Sequence, residues 1–325
     1  MLPLKKYAFF IILFCLPFCG KIQNPLRWNG TAMSIVARLP HYAHLIRVDS
    51  LGKQVGTMLL LWPTMWGLWI AAEGSPPLYM VLIFALGSFL MHSAGCVVND
   101  YADREFDGHV ERTRDRPLVT GAISVREAFW FGLGLLFLSF LLILPLQNIR
   151  VFLIALLALF LAVSYPFTKR FLPVPQAYLG VAFGFGIPMS FAAVQNTVPP
   201  MAWLLVVANL FWVISYDTSY AMVDRNDDIK LGRIRTSAIT FGRYEVAIVM
   251  LCYAVSLSLI TVVGLAFGRG WVFIAGMGVA ALVAGRVFLL IRTRERAACW
   301  RAFIDNNWVG ASVFAGFALD YLVRV

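Results

Sequence analysis

Nine apolar runs, near residues 55–72, 77–98, 126–146, 150–167, 177–195, 201–221, 246–267, 271–291 and 307–323, take up most of this 325-residue chain. Each is close to the ~20 residues with which a helix crosses ~30 Å of hydrocarbon. Lipid offers no hydrogen-bond partner to the backbone, so a spanning segment is either a helix, which satisfies its own amides, or a strand of a closed barrel. The alternation with period two that marks barrel strands is absent, which leaves helices. The residue balance agrees: 60% of the chain is hydrophobic and 14% charged, too few charges to coat a soluble domain. The reading is an all-α polytopic membrane protein with about nine transmembrane helices in a bundle.

The formal net charge of +10 raises nucleic acid as a partner, but the positions of the charges argue against it. Of 27 Lys and Arg, only Arg150, Arg269 and Arg324 fall in the loops of one side or at the C-terminus. The rest sit in the N-terminal segment, in loops 99–125, 168–176, 222–245 and 292–306, or at span ends facing them, as Arg286 does. That asymmetry places the N-terminus and these loops in the cytoplasm and the C-terminus outside. The partner is therefore a lipid bilayer, and the basic loops face either anionic headgroups or an anionic substrate. The five cysteines, Cys15, Cys19, Cys96, Cys252 and Cys299, show no C-x-x-C spacing and suggest neither a disulfide framework nor a zinc site. Residues 1–40 read as an N-terminal leader or cytoplasmic segment, with Lys5-Lys6 and the apolar stretch Tyr7–Cys19 resembling a short signal-peptide core; residues 41–325 read as one membrane domain.

Two acid-rich stretches break this pattern, Asn99 to Asp107 and Asp224 to Asp228, each starting where a span of membrane length ends. Asn99, Asp103 and Asp107 are four residues apart, as are Asp224 and Asp228, so on helical extensions of the spans each set lines one face. Two such faces together make an oxygen-rich site for a hard divalent cation, Mg²⁺, with positions left for water and substrate phosphate. The simpler alternative is that these acids only pair with Arg104, Arg112, Arg114 and Arg116. Cations on a diphosphate neutralise the charge that develops when an allylic carbon–oxygen bond ionises. Arg112, Arg116, Lys230 and Arg235 are placed to add to that stabilisation, and aromatic faces suit an allyl cation. A span, an acidic motif, an Arg-rich loop and two further spans occur from about residue 77 and again from about 201, an approximate internal echo.

Several ordered strings carry a resemblance. Leu60-Leu61-Trp62-Pro63-Thr64, Ala94 through Asp103 with Asp107-Gly108-His109-Val110 and Arg116-Pro117-Leu118, Tyr165-Pro166-Phe167-Thr168-Lys169-Arg170, and Tyr216 through Arg225 resemble the 4-hydroxybenzoate polyprenyltransferases of the UbiA superfamily. The resemblance runs from about residue 40 to the C-terminus. It implies a nine-helix bundle around a central cavity, two Mg²⁺-binding acidic motifs, and transfer of a polyprenyl chain from polyprenyl diphosphate to 4-hydroxybenzoate in ubiquinone biosynthesis, at a bacterial inner membrane with the active site facing the cytoplasm. Carried over, Asn99, Asp103 and Asp107 match the first motif and Asp224 and Asp228 the second, with Asp103 and Asp228 among the catalytic set. Arg170 matches an arginine implicated in activity, and Lys169, Arg170, Arg112, Arg116 and Lys230 are candidates for binding substrate; Lys169-Arg170 also fits a topology signal. Asn226 stands where the family commonly has an acid, the segment Arg47–Gly56 is longer than the family's Arg-x-Asp-Lys-Pro-x-Gly, which leaves the match of Lys53 open, and Arg233 to Ala238 carries an extra residue with a swapped hydroxyl pair. Other acceptors (homogentisate, dihydroxynaphthoate, haem, a glycerophosphate) fit the same fold. A CDP-alcohol phosphotransferase lacks support because its D-G-x-x-A-R opening is missing, and a transporter because no acid lies at mid-span.

Overall fold

The computed structural model describes residues 35–48 and 55–323. The leader, Cys15, Cys19, Lys53 and Arg324 lie outside them. Within them the chain is helical: α1 Ile35–Leu45, α2 Val55–Ala71, α3 Leu78–Asp107, α4 Pro117–Thr120, α5 Val125–Ile143, α6 Ile149–Thr168, α7 Pro175–Gly184, α8 Gly186–Gln195, α9 Pro200–Leu231, α10 Ser237–Phe241, α11 Glu245–Ala266, α12 Trp271–Ile291 and α13 Arg296–Val323. Helix α1 runs across residue 40, where the sequence suggests a boundary.

Local signals set the helix ends. Ser124 and Glu127 form a capping box at the start of α5, and the Asn148 side chain accepts from the amides of Arg150 and Val151 at the start of α6. Thr236 accepts from the amide of Ile239 to open α10, and Gly232, at φ 61°, closes α9. Among the described residues seven segments are long and apolar enough to cross a membrane, counting α7 and α8 together as Pro175–Gln195. Two of the nine runs differ for physical reasons. Helix α2 is apolar but 17 residues long, and α13, with 28, carries Arg296, Arg301, Asp305, Asn306 and Asn307 in its first half.

The buried polar groups of α13 are matched to neighbours. Asn306 Oδ1 accepts from Trp212 Nε1 at 3.0 Å and Tyr253 Oη at 2.6 Å, while its amide donates to the carbonyl of Ala302 at 2.9 Å. These bonds tie α13 to α9 and α11 where no water competes. Helices α12 and α13 meet backbone to backbone: a Cβ on Gly276 would lie 2.6 Å from the Cα of Gly316. Leu141, Leu153, Leu251 and Leu282 face outward, as a lipid-facing belt requires.

Contacts at the two ends show the alternation of direction. At one end Gln195 donates to the carbonyl of Ala71, Asn148 to that of Ala192, and the Gly270 amide to Asp320. At the other, Arg296 joins Glu111 to Asp227 and Arg294 pairs with Glu245. Both acidic motifs belong to this second end.

Candidate active site

A cavity of about 980 Å³ opens where α3, α6 and α9 finish. Asn99, Asp103, Asp107, Asp217, Asp224 and Asp228 line its mouth. Its wall continues between α3, α5 and α6 past Leu159 and Leu136 to Ile143 and Phe152, at the opposite ends of their helices. From Lys169 to Phe152 along α6 that is about 25 Å at 1.5 Å per residue, nearly a full membrane thickness of apolar wall.

Helix α3 places the first motif. It continues past its apolar run to Asp107, and the four-residue spacing turns Asn99, Asp103 and Asp107 toward the cavity. Lys169, immediately after α6, sits against this face: its Nζ lies 2.8 Å from Asn99 Oδ1 and 2.7 Å from Asp103 Oδ2. Burial works against the Lys169 charge, but Asp103 holds its pKa above the ordinary lysine value. Asp107 accepts from Arg116 Nη1 at 2.6 Å. The same nitrogen lies 3.0 Å from Asp100, which is fully buried on the adjoining face of α3 and also pairs with Arg47 at 2.6 Å. Burial opposes the Arg116 charge too, and Asp100 and Asp107 outweigh it, raising its pKa.

Helix α9 places the second motif. Asp224 takes the Arg112 guanidinium at 2.9 Å through Nε and 2.5 Å through Nη2, a fork-to-carboxylate pair that also stacks 4.6 Å from the centre of the Tyr220 ring. Asp228 is buried yet has no side-chain hydrogen bond or ion pair among the described residues. Arg296 clasps the rim, with Nη1 2.5 Å from Glu111 and Nη2 2.7 Å from Asp227, joining the loop that carries Arg112 to the end of α9.

All five acidic-motif residues, together with Arg112, Arg116 and Lys169, therefore meet around one cavity. Arg170, Lys230 and Arg235 do not line it. Arg170 follows Lys169 and so points elsewhere: it donates to the carbonyl of Ala102 at 3.1 Å and packs on the rings of Phe106 and Phe167, stapling the end of α6 to α3. Lys230 is exposed, two residues and about 200° around the helix from Asp228. Arg235 donates to the carbonyl of Phe171 at 3.0 Å. In the divergent stretch, Ser237, the first residue of α10, has its Oγ 2.7 Å from Thr218 Oγ1. Asp217, Asp100, Arg47 and Arg296 belong to the site or its frame without having been singled out by the motif spacing. Asp217 is two helical turns before Asp224, so the i, i+7 relation was the available signal.

Among the described residues no three His, Cys, Asp or Glu side chains surround a single point. The donor set nonetheless fits a hard cation, because one neutral and one anionic oxygen, from Asn99 and Asp103, already converge on one positive centre at Lys169 Nζ. A ligand set of that size leaves coordination positions for phosphate and water.

The model of the UbiA prenyltransferase family matches residues 60–314. The chain belongs to this family and is an integral-membrane transferase. It is 62% identical over 291 residues to 4-hydroxybenzoate octaprenyltransferase of Azoarcus sp. (strain BH72), covering 90% of this chain and 100% of that relative. Among solved structures it resembles the apo UbiA homolog from Aeropyrum pernix K1, with a TM-score of 0.71 and 26% identity over 81% of this chain and 97% of that one. A UbiA homolog from Archaeoglobus fulgidus bound to GPP and Mg²⁺ shares the fold, at a TM-score of 0.63 and 21% identity over 86% and 99% of the two chains.

Proposed function

We propose that this enzyme transfers a polyprenyl group from polyprenyl diphosphate to C3 of 4-hydroxybenzoate, with Mg²⁺, in ubiquinone biosynthesis. The observation that carries the reading is one cavity with two acid-bearing helix ends at its mouth and about 25 Å of apolar wall behind them. The acceptor is taken from the Azoarcus relative, and the ion and donor class from the ligands of the Archaeoglobus homolog.

Asn99, Asp103 and Asp107 on α3 and Asp224 and Asp228 on α9 would hold Mg²⁺. The ion, when bound, supplies positive charge against the departing diphosphate. Lys169, Arg112 and Arg116 offer the diphosphate oxygens further charge-assisted bonds at the mouth. The prenyl tail lies along the apolar wall, where burial contributes roughly 0.8 kcal/mol per CH₂. The C1–O bond breaks with its electron pair leaving on diphosphate, and the rings of Tyr165, Tyr216, Tyr220 and Phe303, which line the cavity, would shelter the allylic fragment. The ring carbon ortho to the acceptor hydroxyl forms the new carbon–carbon bond, and its proton passes to diphosphate or a site carboxylate. Arg170 acts on this sequence through the segment carrying Lys169.

Purified protein in lipid, given 4-hydroxybenzoate, Mg²⁺ and prenyl diphosphates of graded length, is expected to yield prenylated 4-hydroxybenzoate by mass spectrometry. Turnover of another aromatic acceptor with none of this one would reject the assignment. The orientation is tested separately. Helices α2 and α13 would add to the seven segments to give nine crossings, with the site on the cytoplasmic side of a bacterial inner membrane. Single cysteines at Gly108 and Lys230 are then expected to resist an impermeant thiol reagent in intact cells, while one at Asn196 reacts. External labelling at either of the first two positions reverses the orientation.

A further inference from the structure

Each acidic motif already holds a cation belonging to the protein. Lys169 Nζ occupies the point on which Asn99 and Asp103 converge, and Arg112 grips Asp224 through two nitrogens. Both side chains are partly solvated, at 18% and 27% exposure, and both sit outside the long helices, Lys169 just after α6 and Arg112 in the loop between α3 and α4. Arg116 differs: it is held by Asp100 and Asp107 together, with 8% of its side chain exposed. The first two are placed to move, and the third is a fixed part of the frame.

We propose that Lys169 and Arg112 are resident counter-cations that keep divalent metal from binding before substrate does, and that they exchange carboxylate for diphosphate when metal-bound diphosphate enters. The inference rests on the metal reading above. A divalent ion arriving alone has to break charge-assisted bonds to Asp103 and Asp224 and leave an ammonium and a guanidinium beside it. The displaced groups would give up those bonds and keep the faces of Tyr165 and Tyr220, 5.3 Å and 4.6 Å from them in the present arrangement, with the longer-range attraction of Asp217 and Asp228 across the mouth. Diphosphate changes this balance, because its oxygens receive both cations while the ion takes the vacated carboxylates. Diphosphate without metal meets Asp217 and Asp228 at the same mouth and is repelled. Metal and diphosphate therefore each raise the other's affinity by the same factor, as linkage requires.

The test is Mn²⁺ binding to purified protein in lipid nanodiscs, read by electron paramagnetic resonance with and without inorganic pyrophosphate. Wild type is expected to bind Mn²⁺ at least about tenfold more tightly with pyrophosphate than without. Lys169→Met is expected to tighten Mn²⁺ binding in the absence of pyrophosphate by about tenfold and to shrink the pyrophosphate effect, whereas Lys169→Arg retains the wild-type pattern. Arg112→Gln, on a loop, repeats the measurement at the second motif and serves if Lys169→Met does not fold. A side chain that merely supported the structure would lower Mn²⁺ affinity when removed, so unchanged or weaker binding in both neutral variants overturns the proposal. Asp103→Asn separates the two levels. If it abolishes Mn²⁺ binding with pyrophosphate present while the neutral variants fail to tighten binding, the metal reading stands and the counter-cation inference falls. If Asp103→Asn binds Mn²⁺ normally, the metal reading fails and the inference with it.

Discussion

Alanine at Asp103 or at Asp228 is expected to lower turnover by on the order of 10²–10³-fold, ~3–4 kcal/mol of transition-state stabilisation, with membrane insertion intact. The two positions test the same role in different surroundings. Asp103 is bonded to Lys169, so its removal also leaves an ammonium short of a partner and perturbs the mouth. Asp228 makes no side-chain hydrogen bond or ion pair among the described residues, and its removal breaks no packing network. A buried carboxylate without a partner opposes folding, so Asp228→Ala is expected to be at least as stable as wild type. Loss of activity with retained or raised thermal stability at this position isolates a functional role. Normal turnover of either purified variant at saturating Mg²⁺ would sink the metal assignment.

The fold was legible where a single physical demand dominates. Apolar runs of membrane length have to be helices, and α3, α5, α6, α9, α11 and α12 lie close to where their runs predict them. The break at Gly184-Phe185-Gly186 within one predicted span was less legible, because glycine in a membrane helix serves close approach as readily as interruption. The runs at 55–72 and 307–323 became a 17-residue helix and part of a 28-residue one. In the second case the buried Asp305 and Asn306 are accommodated by Arg286, Trp212 and Tyr253, partners on other helices that periodicity cannot announce.

The candidate site shows the same division. Four-residue spacing identifies which acids share a face, and the structure brings both faces to one cavity. Spacing does not tell which neighbouring cation belongs to which acid. Lys169 and Arg170 are adjacent and chemically alike, yet the first lies between Asn99 and Asp103 and the second lies outside, on the carbonyl of Ala102. The choice depends on the roll of α6 against α3, a property of packing. Asp100 shows the converse: it sits inside the acidic motif but turns away from the cavity to anchor Arg47 and Arg116. A lone arginine such as Arg296, 185 residues from Glu111, has no local signal at all.

A fluorinated prenyl diphosphate is expected to bind like the parent and react far more slowly. If the diphosphate departs before the ring attacks, positive charge accumulates on the allylic carbons in the transition state. Fluorine close to the reacting carbon withdraws electrons from that charge with little change in size. The acidic motifs and Lys169, Arg112 and Arg116 line the cavity where the proposed reading puts the diphosphate, and the apolar wall runs from there toward Phe152, so neither proposed anchoring region is touched. Affinity should therefore be retained while the single-turnover rate falls by about 10²-fold or more, ~2.7 kcal/mol at the barrier. The aromatic faces lining the cavity stabilise the fluorinated and parent cations through the same quadrupole, so they leave the difference between the two rates in place. In steady state the analogue then behaves as a slow substrate competing with the parent, with a low kcat and an inhibition constant close to the parent's dissociation constant. Direct displacement by the acceptor ring predicts something else, because bond formation compensates bond breaking and little charge develops. An unchanged single-turnover rate, measured where chemistry limits, would establish that alternative and remove the reason for an aromatic lining beside the diphosphate.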